Sequence, residues 1–148
     1  MKKYKSKIDT YVLKKVKSDI VKCKLKTPED SYKYSLDFFH DDINIYESFF
    51  CIFLNRANNT IGYVKISQGG VTGTIVDPRL VFKYAVDSLS SAVILIHNHP
   101  SGDVEPSIED RKITTKIKGA LSNFDICLID HIIISESGYY SFSDHGHI

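Results

Sequence analysis

The chain has 148 residues, 43% of them hydrophobic and 25% charged, with a net charge of +1. That is the balance of one globular domain with its own core, and it excludes a wholly disordered chain. No apolar run approaches the roughly 20 residues that span a bilayer, and the lysine-rich start has no apolar stretch behind it, so neither a membrane span nor a secretory leader is expected.

Residues 1–26 hold ten lysines against Asp9 and Asp19, so this segment carries +8 and the remainder −7. Two roles fit it. It is a basic arm for nucleic acid or another polyanion, or it is a lysine guard on an edge strand. With no arginine there and only Tyr4 and Tyr11 as aromatics, the guard is the simpler expectation. The chain therefore divides into an arm, 1–26, and a domain, 27–148. Cys23, Cys51 and Cys127 are odd in number and far apart. They read as reduced thiols of a cytoplasmic protein, without zinc-finger spacing.

Within the arm, DIVKCKLK (19–26) alternates apolar residues with lysine, the pattern of a half-buried strand. TPEDSYKYSLDFF then starts a helix, with Thr27 as cap, Pro28 in the first turn and Glu29 and Asp30 at its positive end. ESFFCIFLN (47–55) is apolar on both faces and predicts a central strand. RANN turns the chain into the partner strand TIGYVKISQGG (60–70), and TGTIV (72–76) predicts a short third strand. Asp77 and Pro78 open a helix with Val81, Tyr84, Ala85 and Leu89 on one side.

AVILIH (92–97) is a second strand apolar throughout. A proline-glycine loop follows, then a helix from about Ser107 to Leu121 with Ile113, Ile117, Ala120 and Leu121 as its stripe. ICLIDHIIIS (126–135) is another buried strand, and GYYSFS an edge strand that can pair with an extended peptide or a second subunit. Strands and helices interleave, so the expected fold is α/β, a mixed sheet with helices packed on it.

The chemistry gathers in LIHNHPSGDVEPSIED (95–110). His97 and His99 are two apart at a strand's carboxyl end, so in an extended chain both rings lie on one side. Asp110 precedes Ile113 by three and Ile117 by seven, which turns it toward the sheet. Two imidazoles and a carboxylate suit zinc, and three protein ligands leave a fourth position for water. Ser107-x-x-Asp110 also fits a capping box, and taken alone that is the better reading. Ser107 shares the Asp110 face, so its hydroxyl can serve a developing oxyanion. A hydrolytic site wants a base that is not a ligand. Glu47, in phase with Phe49, Cys51 and Phe53, is the candidate, although the pattern alone reads as an exposed residue at a strand start.

His97-x-His99-Pro100, six residues, then Ser107-x-x-Asp110 resembles the JAMM (MPN+/JAB) metalloprotease motif, with Glu47 at the position of its upstream glutamate. The blocks ESFFCIFLNRANNTIG, GTIVDPRLVFKYAV, ILIHNHPSGDVEPSIED and LIDHIIIS resemble bacterial RadC, a JAB-domain family associated with DNA repair, over residues 27 to 143. Long RadC proteins carry a helix-hairpin-helix region ahead of this domain, where the present sequence has its lysine-rich arm.

The resemblance implies a cytidine-deaminase-like fold, zinc on His97, His99 and Asp110, Glu47 as the base that activates water, and Ser107 steadying the tetrahedral intermediate. It implies cleavage of a peptide or isopeptide bond in a protein or peptide substrate. The alternative is a DNA-repair-associated or nucleic-acid-binding accessory protein whose zinc site is structural or vestigial. A nucleobase deaminase shares the implied fold, but H-x-E and P-C-x-x-C are both missing. Asp130 and His131 match a RadC block too, and interrupt a buried strand. A role behind the ligands or in the core is expected of them. His145 and His147, in the terminal DHGHI, are expected to be mobile and without a role.

Overall fold

A computed structural model describes residues 7–12, 14–70 and 73–148. In chain order it contains α1 (Pro28–Phe39), a 3-10 turn (His40–Asp42), β1 (Ser48–Leu54), β2 (Thr60–Gln68), α2 (Pro78–Asp87), β3 (Ala92–Asn98), α3 (Ile108–Ser122), β4 (Cys127–Ser135) and β5 (Gly138–Ser141). The strands form one mixed sheet in the order β2-β1-β3-β4-β5. Only β3 and β4 run parallel, and α3 makes the crossover that a parallel pair needs. This is the α/β arrangement that the interleaving predicts.

Both faces of the sheet are covered, which is why β1 and β3 read as unbroken apolar runs. Phe50, Ile52, Leu54, Ile94, Ile96, Ile132 and Ile134 pack with Phe38 and Phe39 of α1. On the opposite face Phe49, Cys51, Phe53, Val93 and Leu95 pack with Val81 and Ala85 of α2 and Ile117 and Leu121 of α3. Burying each large side chain of this kind contributes roughly 1.5–3 kcal/mol. All three helices start on a side-chain cap: Thr27, Asp77 and Ser107, the first and last as full capping boxes with Asp30 and Asp110.

One irregularity matters for function. The β3–β4 register slips between Val93 and Ile94, whose partners are Leu128 and Asp130, so Ile129 is an extra residue in β4. A bulge changes the phase of the residues after it. Leu128 packs on the α2/α3 face, and three residues later His131 faces the same way, in contact with Thr114 of α3.

Three expectations are corrected. Residues 19–26 form no strand; they touch β2 by one bridge, Lys24 opposite Asn59. The Cys23 amide donates to the Thr60 side chain (3.0 Å) rather than to a carbonyl, and Val21 stands in solvent, so no ladder propagates. In the strand expected over 72–76, residue 72 lies outside the described residues, and Gly73–Val76 is a loop with Ile75 exposed. There the chain crosses the end of β2 so closely that a Cβ on Gly69 would collide with the Gly73 carbonyl. The chain end is anchored rather than mobile. His147 N donates to Phe142 O (2.8 Å), His145 stacks on Tyr140, and Ile148 packs against the core. The three cysteines are free thiols, with Cys51 buried and Cys127 exposed.

Candidate metal centre

β3 ends at the site, and its last residues alternate. His97 continues the face of Val93 and Leu95, toward α3. Asn98 points to the other face, and His99 returns to the first. The ladder with β4 holds this geometry as far as His99, whose amide donates to Ile134 O (3.1 Å). Asp110 reaches the same point from the first turn of α3. His97 Nε2 lies 3.0 Å from His99 Nε2 and 3.2 Å from Asp110 Oδ1, and His99 Nε2 lies 3.5 Å from Asp110 Oδ2. Zinc–nitrogen and zinc–oxygen bonds of about 2.0–2.1 Å at tetrahedral angles separate ligand atoms by about 3.3–3.4 Å. The His97–Asp110 separation is near that value, and one ligand atom from each of the three residues lies within 4.8 Å of the others, so they are placed close enough to hold a metal ion.

The second nitrogen of His99 supports the same conclusion. His99 Nδ1 lies 2.7 Å from the Asp103 carbonyl, which only accepts, so Nδ1 carries a proton and Nε2 is the nitrogen left for the metal position. The loop that delivers this carbonyl turns at Gly102, whose φ of 86° suits a residue without a Cβ.

Electrostatics within the triad is strong. Burial alone would raise the Asp110 carboxyl, but the His97 and His99 imidazoles and the Ser107 hydroxyl outweigh it and hold it far below the usual carboxylate range. Burial opposes protonation of His99, yet Asp110, the Asp103 carbonyl and the charge of Glu47 raise its pKa above the ordinary value. The pocket is thus arranged for positive charge between its donors.

Glu47 lies just before β1 and is half-buried. Phe49 pairs with His97 across the antiparallel β1–β3 ladder, and their rings stack 5.6 Å apart. Glu47 precedes this pair by two residues, and its charge acts on His99. It is outside the three-atom cluster that converges on the metal position. Ser107 is the N-cap of α3. Its hydroxyl donates to Asp110 Oδ2 (2.7 Å) and accepts from Asp110 N (3.1 Å). The capping box and the metal-ligand arrangement therefore coexist: the cap aims the acid.

Of the supporting residues, Asn98 and Thr114 escape a reading of the sequence, whereas His131 is one for which a role behind the ligands or in the core is expected. Asn98, fully buried, accepts from Ser48 N (2.8 Å) and donates to Ile43 O (2.6 Å) and Tyr46 O (2.8 Å), so it clamps the loop that carries Glu47. Alternation within His-Asn-His is the signal that separates it from the two ligands. His131 Nε2 lies 2.8 Å from His97 Nδ1, and Thr114 Oγ1 lies 2.6 Å from His131 Nδ1. Burial, reinforced by the neighbouring His97, pushes His131 well below its ordinary pKa. Thr114 follows Asp110 by four, which places it on the same helix face; threonine is too common in helices for that spacing to stand out. Asp130 points to the opposite face and accepts from Ser141 Oγ (2.6 Å) and Ser143 N (2.9 Å), tying down the chain end.

Among the described residues, no helix is long and apolar enough to cross a membrane. Comparison with known proteins agrees with the geometry. Residues 25–147 match the profile of the RadC-like JAB domain. A UPF0758 protein of Flavobacterium johnsoniae is 48% identical over 101 residues, 68% of this chain and 44% of the relative. UPF0758 proteins of Trichlorobacter lovleyi and Pelodictyon phaeoclathratiforme are 43% and 39% identical, over 74% and 83% of this chain and 49% and 54% of their own lengths. The chain thus spans about half the length of the curated relatives it matches. With this match covering most of its length, the chain belongs to the RadC-like JAB domain family.

Proposed function

We propose that this domain is a zinc-dependent hydrolase of a peptide or isopeptide bond. One observation carries the reading: His97, His99 and Asp110 each offer a ligand atom within 4.8 Å of the others, and Glu47, whose charge acts on His99, stands outside that cluster. A zinc ion held by the three ligands supplies Lewis acidity, which acidifies water and polarises a carbonyl. Glu47 takes a proton from the attacking water as its oxygen bonds to the carbonyl carbon, and returns it to the amine nitrogen as the C–N bond breaks. Ser107, its hydroxyl rotated away from Asp110, donates to the carbonyl oxygen as negative charge develops there.

Zinc analysis of the purified protein is expected to give about one ion per chain, as one three-ligand site requires, and His97→Ala and Asp110→Ala to lose it. Glu47→Gln is expected to keep zinc and lose a factor of about 10²–10⁴ in cleavage of a peptide library. Cleavage retained by Glu47→Gln removes Glu47 as the base. A zinc-free protein whose ligand variants are as stable as the parent removes the metal reading.

A second reading has its own observation. Lys14, Lys15, Lys17 and Lys22 line a cleft of about 640 Å3 together with Tyr34, Tyr63 and Tyr84. Cations beside aromatic rings suit nucleic acid. In that reading the chain is a nucleic-acid-binding accessory protein with a structural metal site. Removal of residues 1–22 would then abolish salt-sensitive DNA binding while the zinc site stays intact.

A further inference from the structure

We propose that His131 and Thr114 are positioning residues that lock His97 in the one tautomer able to bind metal. The inference rests on the metal-site reading above and extends it behind the ligands.

To offer a lone pair on Nε2, a neutral imidazole must carry its proton on Nδ1. For His99 the Asp103 carbonyl enforces this directly. His97 has no carbonyl behind it. Its Nδ1 faces another imidazole, Nε2 of His131, at 2.8 Å. Such a contact has no inherent direction, since either nitrogen can be the donor. The wrong direction would put an N–H on His97 where the metal belongs.

Direction comes from the far end of the chain. Thr114 Oγ1 touches two partners, His131 Nδ1 at 2.6 Å and the Asp110 carbonyl oxygen at 2.6 Å. A carbonyl only accepts, so the single hydroxyl proton of Thr114 goes to Asp110 O. Thr114 then accepts from His131 Nδ1–H. His131, neutral, is left with a bare Nε2, which accepts from His97 Nδ1–H. The His97 Nε2 lone pair therefore faces His99 and Asp110. Every donor in this sequence meets an acceptor, and it begins on the backbone of the residue whose carboxylate is the third ligand.

Packing keeps the rings from turning. His131 is fully buried, stacked on Phe142 at 4.8 Å and set edge-on to Phe49 at 5.4 Å, and Phe49 stacks on His97. The extra residue Ile129 in β4 is what brings His131 to this face.

The test reads tautomers in the metal-free protein and zinc affinity separately. Histidine 15N NMR of the parent is expected to show His97 with a protonated Nδ1 and a bare Nε2. Thr114→Val removes the hydroxyl at nearly constant volume; it is expected to mix the His97 tautomers and weaken zinc binding about tenfold, the lower end for lost support of a ligand. Thr114→Ser is expected to restore both. His131→Phe keeps an aromatic ring against Phe142 but no acceptor, and is expected to weaken zinc about 10–100-fold. Should His131→Phe fail to fold, the Thr114 pair decides. A Thr114→Val protein with the parental His97 spectrum and the parental zinc affinity overturns the proposal. A parent that takes up no zinc overturns the metal reading instead, and the NMR comparison still decides the role of Thr114 and His131.

Discussion

Three consecutive residues at the end of β3 do two jobs. His97 and His99 face the metal position, while Asn98 faces away and satisfies one amide and two carbonyls of the loop before β1. Truncating it leaves those groups without partners, and each buried orphan costs about 1–3 kcal/mol. Asn98→Ala is therefore expected to lose roughly 2–4 kcal/mol in urea unfolding while still binding zinc. Hydrolysis should fall more than zinc affinity, because the loop holds Glu47 and no ligand. His131 supplies a pH signature in the metal-free protein. Its folded pKa lies well below the ordinary 6.5. Below that pH the unfolded chain binds a proton that the folded chain refuses, so stability is complete above 6.5 and falls on acidification. His99 has the opposite sign: its raised pKa gives a contribution that is complete below 6.5 and lost as pH rises through the folded value. As pH falls below 6.5 the cost from His131 grows toward a limiting slope of about 1.4 kcal/mol per pH unit, and His131→Phe is expected to remove that component from denaturation curves of the metal-free protein.

At the scale of elements, α1 and α3 begin with the same device, a hydroxyl cap and an aspartate three residues on. Only the second aspartate faces the end of β3, beside His97 and His99. Thr27→Ala and Ser107→Ala are each expected to cost about 1 kcal/mol as lost caps. Zinc titration should tell them apart, with affinity unchanged in the first and weakened in the second, where Asp110 loses the hydroxyl that orients it. The triad is legible in the sequence because helix phase turns Asp110 inward and a spacing of two aligns His97 with His99. The same reasoning fails one strand away. In ICLIDHIIIS a bulge at Ile129 reverses the face of every later residue, and an unbroken apolar run carries no mark of where the extra residue sits. The strands expected over 19–26 and 72–76 fail for a related reason. Alternation shows that a segment is able to pair, but pairing also needs an open partner: the first reaches β2 at a single bridge, and the second spans a tight crossing at Gly69.

Across the whole molecule, charge and packing are divided between two regions. The sheet with its three helices buries the core on both faces and places together the three residues that could hold a metal ion. The segment before α1 holds most of the excess positive charge, and Ile8, Tyr11, Val12, Val16 and Val21 along it are all at least 77% exposed. Full burial begins only at Leu25, whose amide bonds Asn58 O, while Ile20 and Cys23 are half-buried against the core. The exposed apolar side chains of this segment add little to the stability of the domain, since contacts left in water contribute almost no transfer energy. Deleting residues 1–22 removes eight lysines and two aspartates and takes the net charge from +1 to −5. The shortened protein is expected to melt within about 2 °C of the parent, as for a change well under 1 kcal/mol in a domain of this size, and to keep its zinc. Retention on a polyanion resin is expected to disappear, because that property follows the positive segment and is screened by salt. A large fall in melting temperature would instead make the segment part of the fold, and the lysines then become the guard of a sheet edge.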